Sequence, residues 1–156
     1  MVRAMLIAVL ITIGLQGNAQ TESRITRYNY FFLEAIRQQE MGNLAAAFDL
    51  LNHARDINPK APEVYYEIAG YYVAMQNSKA ARYNFEQAAK LAPDNSTYLE
   101  KLGQFYISQN NYEDALTTYE QLYTSNKTRE DVLQILYQLY GAQNNYKKMI
   151  EMIERM

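Results

Sequence analysis

QNNYEDAL at residues 109–116 returns as QNNYKKMI at residues 143–150, an offset of 34 residues. The same interval, carried backwards, brings Gln76-Asn77-Ser78-Lys79-Ala80-Ala81 and then Gly42-Asn43-Leu44-Ala45-Ala46-Ala47 into register without an insertion. Four units result: 28–61, 62–95, 96–129 and an incomplete 130–156. Within each, apolar residues recur at helical spacing in two stretches of about 14 residues, parted by a short Gly/Asn/Gln break. Each unit is therefore predicted to be an antiparallel helix pair. A fixed period in this range means that the units stack on one another instead of sharing one central core.

Small and large residues fall where such a pairing needs them. Counting each unit from 1, position 8 holds Ala35, Ala69 and Gly103, position 20 holds Ala47, Ala81 and Ala115, and position 27 holds Ala54 and Ala88. Helices crossing at roughly 8–10 Å need small side chains where their ridges meet. Position 4 (Phe31, Tyr65, Leu99, Leu133) and position 24 (Leu51, Phe85, Tyr119, Ile153) are expected to fill the core. Pro59 and Pro93 stand at position 32, past the second helix, where proline ends a helix and redirects the chain.

Composition sets limits on function. The chain has 156 residues, which suits one domain or a short repeat array. Fifteen Lys and Arg against seventeen Asp and Glu leave a net charge of -2, with no field that would recruit nucleic acid or an anionic membrane. The absence of Cys removes disulfides, thiolate metal ligands and a Cys nucleophile. Fifteen Tyr against five Phe is unusual; seven of the Tyr fall at positions 4, 11, 17 and 24, which assigns them to packing with the hydroxyl at the edge of the stack.

The amino terminus reads as an export leader. Met1 to Arg3 is a short positive start, and Ala4 to Leu15 is apolar apart from Thr12 and Gly14. That run is short of the roughly 20 residues that span a bilayer. Gly17-Asn18-Ala19 offers small residues to a signal peptidase, so residues 1–19 are expected to be removed between Ala19 and Gln20, with 20–27 as a lead-in. With no Cys to carry a lipid, the product is expected in the periplasm or outside the cell; the alternative is an uncleaved tether.

The repeat resembles the tetratricopeptide repeat. Leu102-Gly103 and Tyr106 match the family's L-G-x-x-Y element, Ala115 follows, and Pro93 closes the preceding unit. The resemblance runs from about Tyr28 to the end and implies an all-α fold, a right-handed superhelical solenoid of about four antiparallel helix pairs. Unit 1 departs with Glu34 and Gln38 at usually apolar places, unit 3 has Lys127 in place of the closing Pro, and unit 4 has Tyr137, Met149 and Met156 at small positions. Met149, Met152, Ile153 and Met156 form an apolar stripe without obvious cover, which points to self-association or to further repeats.

In the family the first helices line a concave groove through positions 2, 5, 9, 12 and 13. Candidate binding residues on that basis are Phe32, Ile36, Glu40, Glu63, Tyr66, Val73, Glu100, Gln104, Ile107 and Asp131, with Gly70 among the remaining wall positions. The wall carries four acids and no base, so the expected partner is a peptide segment with apolar or aromatic and some basic character. The family's clamp for a carboxy-terminal carboxylate is matched only by Lys101, since Phe32, Ile36, Glu67 and Thr97 occupy its other places.

Catalytic constellations are sparse. His53 has no Cys or second His to complete a metal site. Glu63 with Glu67, and Glu113 with Asp114, sit in first helical turns, where acids complement the helix dipole. No Gly-rich phosphate loop or nucleophile elbow occurs. The expectation is no enzyme, no cofactor and no metal, but a protein-binding scaffold or adaptor of the cell envelope; the alternative is the amino-terminal sensor or assembly module of a longer envelope protein.

Overall fold

The computed structural model describes residues 2–156, with side chains from Thr21 onward. Among the described residues there are eight helices and no strand. They are α1 (Val2–Glu40), α2 (Leu44–Ile57), α3 (Pro62–Ala74), α4 (Ser78–Leu91), α5 (Ser96–Ser108), α6 (Tyr112–Ser125), α7 (Glu130–Ala142) and α8 (Tyr146–Ile153). The fold class read from the repeat holds: helix pairs follow one another at the 34-residue stride, and units 62–95, 96–129 and 130–156 each open on the first residue of a helix. The lead-in 20–27 is part of α1, while the expected leader, residues 1–19, lies outside the residues whose side chains are described. Among the described residues no helix is long and apolar enough to cross a membrane.

The repeated break explains itself in backbone terms. Gly42, Gln76, Asn110 and Asn144, spaced by 34, all take left-handed φ, at 81°, 56°, 58° and 56°. Each closes the first helix of its pair with the same two bonds: in unit 3, Asn110 N–H donates to the Ile107 carbonyl and Asn111 N–H to the Tyr106 carbonyl, both at 2.9 Å. The next residue then caps the second helix. The side chains of Asn77, Asn111 and Asn145 accept from the N–H of Ala80, Asp114 and Lys148. An Asn-Asn doublet thus ends one helix and starts another in two residues, Asn tolerating left-handed φ better than other side-chain-bearing residues. Asn43 differs, since its side-chain amide donates to Gln38 Oε1 at 2.8 Å and makes no cap.

The turns after the second helices do not depend on proline. Asn58, Ala92 and Asn126, at the carboxy-terminal caps, leave the helical region in the same way, with ψ of 83°, 73° and 95°. Proline after the first two enforces that conformation. Asn126 reaches it through its own side chain, whose Oδ1 accepts from Thr128 N at 3.2 Å and Thr128 Oγ1 at 2.8 Å. The missing Pro of unit 3 is replaced by an Asn-centred turn.

Contacts divide the chain into two compact units, 1–64 and 65–156. In the first, α2 packs on α1, and Ala35, Ala47, Leu51 and Ala54 are fully buried. Half-buried Phe31 meets the His53 ring edge-on at 4.2 Å, so that this exposed histidine rests on an aromatic face. In the second unit, α4 to α8 pack each on the next, around a core running from Ala69 to Met152. Burial of a leucine such as Leu99 or Leu122 there contributes about 1.5–3 kcal/mol.

Position 8 holds glycine in unit 3 for a steric reason. A Cβ on Gly103 would lie 2.6 Å from Cε2 of the buried Tyr119 ring. The tyrosines also join successive pairs: Tyr106 on α5 donates to Glu86 on α4 at 2.8 Å, and Tyr140 on α7 donates to Glu120 on α6, the same two positions one repeat later. Burial, and then the carboxylate, push the Tyr106 and Tyr140 hydroxyls well above the ordinary tyrosine range.

Two core expectations need correction. Phe31 is only half buried, and Ile153 is 57% exposed while Met152 is buried. The expected stripe therefore splits: Met152 and the half-buried Met149 turn inward, with Met149 in contact distance of Gly141, whereas Ile153 and Met156 join Ile150 on the outside. In unit 3 the equivalent face of α6 is Leu116, Tyr119 and Leu122, and α7 packs against α6. Among the described residues α8 has no following helix to cover that face.

Candidate functional site

The proposed wall residues fall into separate settings. In the first unit, Phe32 stacks on Tyr28 at 5.9 Å with an interplanar angle of 13°, and Tyr28 donates its hydroxyl to Glu63 at 2.5 Å. Ile36 is half buried and Glu40 exposed on α1. Phe32, Ile36 and Glu40 share α1, and Glu63, near the start of α3, is engaged by the Tyr28 hydroxyl.

In the second unit, the structure brings Tyr66, Val73 and Gln104 together around one cavity of about 450 Å³. Tyr66 and Val73 come from α3 and Gln104 from α5, all at wall positions. Phe85 of α4, which its repeat position assigns to the core, and Phe105 of α5 complete the lining, with Glu67, Gly70, Lys101 and Ser108. Ile107 leans on the core from the next turn of α5. Tyr66 packs between rings, 6.3 Å from Phe85 at 66° and 5.1 Å from Tyr98, while Phe85 meets Phe105 at 5.5 Å. Offset and edge-on arrangements at these distances are the favourable ones for aromatic pairs. Burial and the neighbouring Glu67 charge raise the Tyr66 pKa.

The wall's acids are less available than their sequence positions imply. Arg129, immediately before α7, donates to both Asp131 oxygens at 2.8 and 2.5 Å and to Glu100 Oε1 at 2.7 Å. These bonds hold Asp131 below the usual carboxylate range and Arg129 above the usual guanidinium range. A wall described as four acids without a base is thus partly neutralised by a base two residues outside it. Arg129 was missed because it stands 29 residues from Glu100, in a turn that the repeat pattern leaves off the wall. Phe85, at a core position of the repeat, and Phe105, at a position to which the repeat pattern assigns no role, both join the site while largely buried.

Other residues weighed for chemistry are dispersed. Asp114 accepts from the Asn111 side chain at 2.6 Å, within the cap of α6. Among the described residues no group of three or more His, Asp or Glu is placed to hold a metal ion.

Residues 62–95 and 96–129 match the model of the tetratricopeptide repeat, on the boundaries given by the sequence period. Those two segments are tetratricopeptide repeats. Similar folds occur in solved structures. MamA is 16% identical with a TM-score of 0.68, over 82% of this chain and 75% of that one. YrrB, described as a tetratricopeptide repeat protein with an unusual peptide-binding site, is 16% identical with a TM-score of 0.67, over 80% and 64%. A tetratricopeptide repeat protein from Parabacteroides merdae is 19% identical with a TM-score of 0.72, over 84% and 52%. No curated protein matches the chain.

Proposed function

We propose that this chain is a protein-binding scaffold that holds a peptide segment of a partner along the first helices of its repeats, and that it works without chemistry of its own. The observation that carries this reading is the cavity bounded by Tyr66, Val73 and Gln104, wall positions of two adjacent repeats that converge on one apolar, open space. Concave, largely apolar surfaces with a few polar groups at the lip are where proteins take ligands. Extended peptide binding is the common use of helical repeat surfaces, and YrrB, a structural neighbour, is described as having a peptide-binding site.

The partner we infer is apolar or aromatic in character. The general basic character expected from the acidic wall loses support, because Arg129 occupies Glu100 and Asp131, and Tyr28 occupies Glu63. The site of action we propose is the cell envelope, following cleavage near Ala19; mass analysis of the exported protein should find Gln20 at its amino terminus. For the groove, a random peptide display panned on the whole chain should yield binders that Tyr66→Ala weakens severalfold. Binders indifferent to Tyr66→Ala would remove this surface from consideration.

A second reading, an assembly module, is favoured by one specific observation. Ile150 and Ile153 are each 57% exposed and Met156 51%, on the face that is covered in the preceding pairs. Light scattering on the protein lacking residues 1–19 tests it: a concentration-dependent rise in mass that Ile153→Lys abolishes supports assembly through α8, and a monomer at all concentrations rejects it.

A further inference from the structure

Among the described residues Gly70 is the least explained glycine. Gly42 has a left-handed φ, Gly103 makes room for the Tyr119 ring, and Gly141 lies against Met149. Gly70 has ordinary helical geometry inside α3, and a Cβ there would meet nothing within 4 Å. Glycine in a helix interior costs about 1 kcal/mol relative to alanine, and here neither backbone nor packing asks for it. What the missing side chain leaves is space at the cavity of about 450 Å³, whose lining includes Gly70 together with the rings of Tyr66, Phe85 and Phe105.

The rim of that cavity is bipolar. Glu67 on α3 and Lys101 on α5 hold the same position in consecutive repeats and carry opposite charges. Gln104 and Ser108, one helical turn apart on α5, add polar groups at the edge. Ser108 Oγ donates to the Phe105 carbonyl at 2.7 Å and accepts a long bond from Gln109 Nε2 at 3.4 Å, which leaves its second lone pair to accept from a ligand.

We propose that this cavity is an anchoring subsite for one aromatic side chain of the partner, in a segment that carries a basic residue on one side of the ring and an acidic residue on the other. The inference rests on the peptide-binding reading above and adds the anchor and the direction of the segment. The ring enters beside Gly70 and meets the aromatic lining edge-on or offset, as those rings meet one another. The flanking base lies toward Glu67 and the flanking acid toward Lys101, so the two charges fix which way the segment runs.

The absence of Trp from the chain makes the test direct. Three blocked peptides, each with a single tryptophan, are titrated into the whole protein: lysine before and aspartate after the ring, the reverse order, and serine on both sides. The expected result is a blue shift of tryptophan emission with all three, and an affinity difference of about two- to tenfold between the two charged orders. The double variant Glu67→Lys/Lys101→Glu should reverse that order. Gly70→Leu should abolish the shift while thermal unfolding shows an intact fold, because the new side chain enters open space; if Gly70→Leu does not fold, Val73→Asp on the exposed rim takes its place. Unshifted emission at millimolar peptide, equal affinity for the two charged orders, or undiminished binding to Gly70→Leu would overturn the subsite. The display experiment separates this from failure of the broader reading: binders that depend on Tyr66 but lack an aromatic residue keep the groove and reject the anchor.

Discussion

The pair α5–α6 and the pair α7–α8 are written in the same register and joined by the same Asn-Asn junction, yet they bury different residues. On α6, Tyr119 and Leu122 are each only 1% exposed; 34 residues on, Ile153 at the end of α8 and Met156 just beyond it are half exposed or more. Hydrophobicity is comparable at these positions, so it does not decide the outcome. What differs is that α7 packs against α6, while within the described residues nothing packs against that face of α8. Burial at these positions belongs to the interface between neighbouring pairs, as expected of a stack whose stability is a sum of unit and nearest-neighbour contributions.

Truncation at equivalent positions should expose the contrast most strongly. Tyr119→Ala is expected to cost about 3–5 kcal/mol in urea unfolding, and Ile153→Ala less than about 0.5 kcal/mol. Equal losses would mean that Ile153 is covered in solution. Overpacking should come next. Gly103→Ala drives a methyl group into the Tyr119 ring, and Ala81→Leu adds three carbons where Ala81 is fully buried. Each should lose about 1–3 kcal/mol, and pairing Gly103→Ala with Tyr119→Leu should recover part of the loss.

The tyrosine–glutamate bonds sharpen the comparison between junctions. Tyr106→Phe and Tyr140→Phe each remove a hydroxyl that donates to a carboxylate of the preceding pair. Each is expected to lower stability by about 1–2 kcal/mol. Their raised pKa values have a second consequence. The folded protein holds those protons more tightly than the unfolded chain, so this contribution is complete below the ordinary tyrosine value near 10 and fades as the pH rises above it. Thermal midpoints measured from pH 8 upward should therefore fall above about pH 10, and less steeply in Tyr106→Phe/Tyr140→Phe. A smaller effect, in the opposite direction, should come from Gln76→Gly. Gln76 holds the left-handed position occupied by Gly42 and by two Asn residues elsewhere, and relief of that strain should add up to about 1 kcal/mol.

Much of this architecture was legible because its signals are local. The Asn doublets and the proline turns act within a few residues, the alanines at positions 8, 20 and 27 within one helix pair, and the structure places all of them as the period implies. The remainder depends on residues that meet from different helices. Gly70 and Gly103 stand at repeat positions 9 and 8 of successive first helices; one faces open space and the other the Tyr119 ring, and that ring comes from a different helix. Arg129 escaped notice because it compensates Glu100 from the far end of a helix pair. Ile153 was assigned to the core because position 24 is buried wherever another pair follows.

The Asn-Asn doublet also makes the hairpin self-contained. Each turn carries its own stop and start instructions, so one helix can fold back on the last without help from distant chain. Most contacts then form between segments close in sequence, a topology associated with rapid folding. A duplicate of residues 96–129 inserted after Asn95 would carry its own Asn110-Asn111 turn and add one new boundary, Arg129 followed by Ser96. The longer array should fold, with the cost confined to that boundary, where the second copy lacks the Asn95 cap.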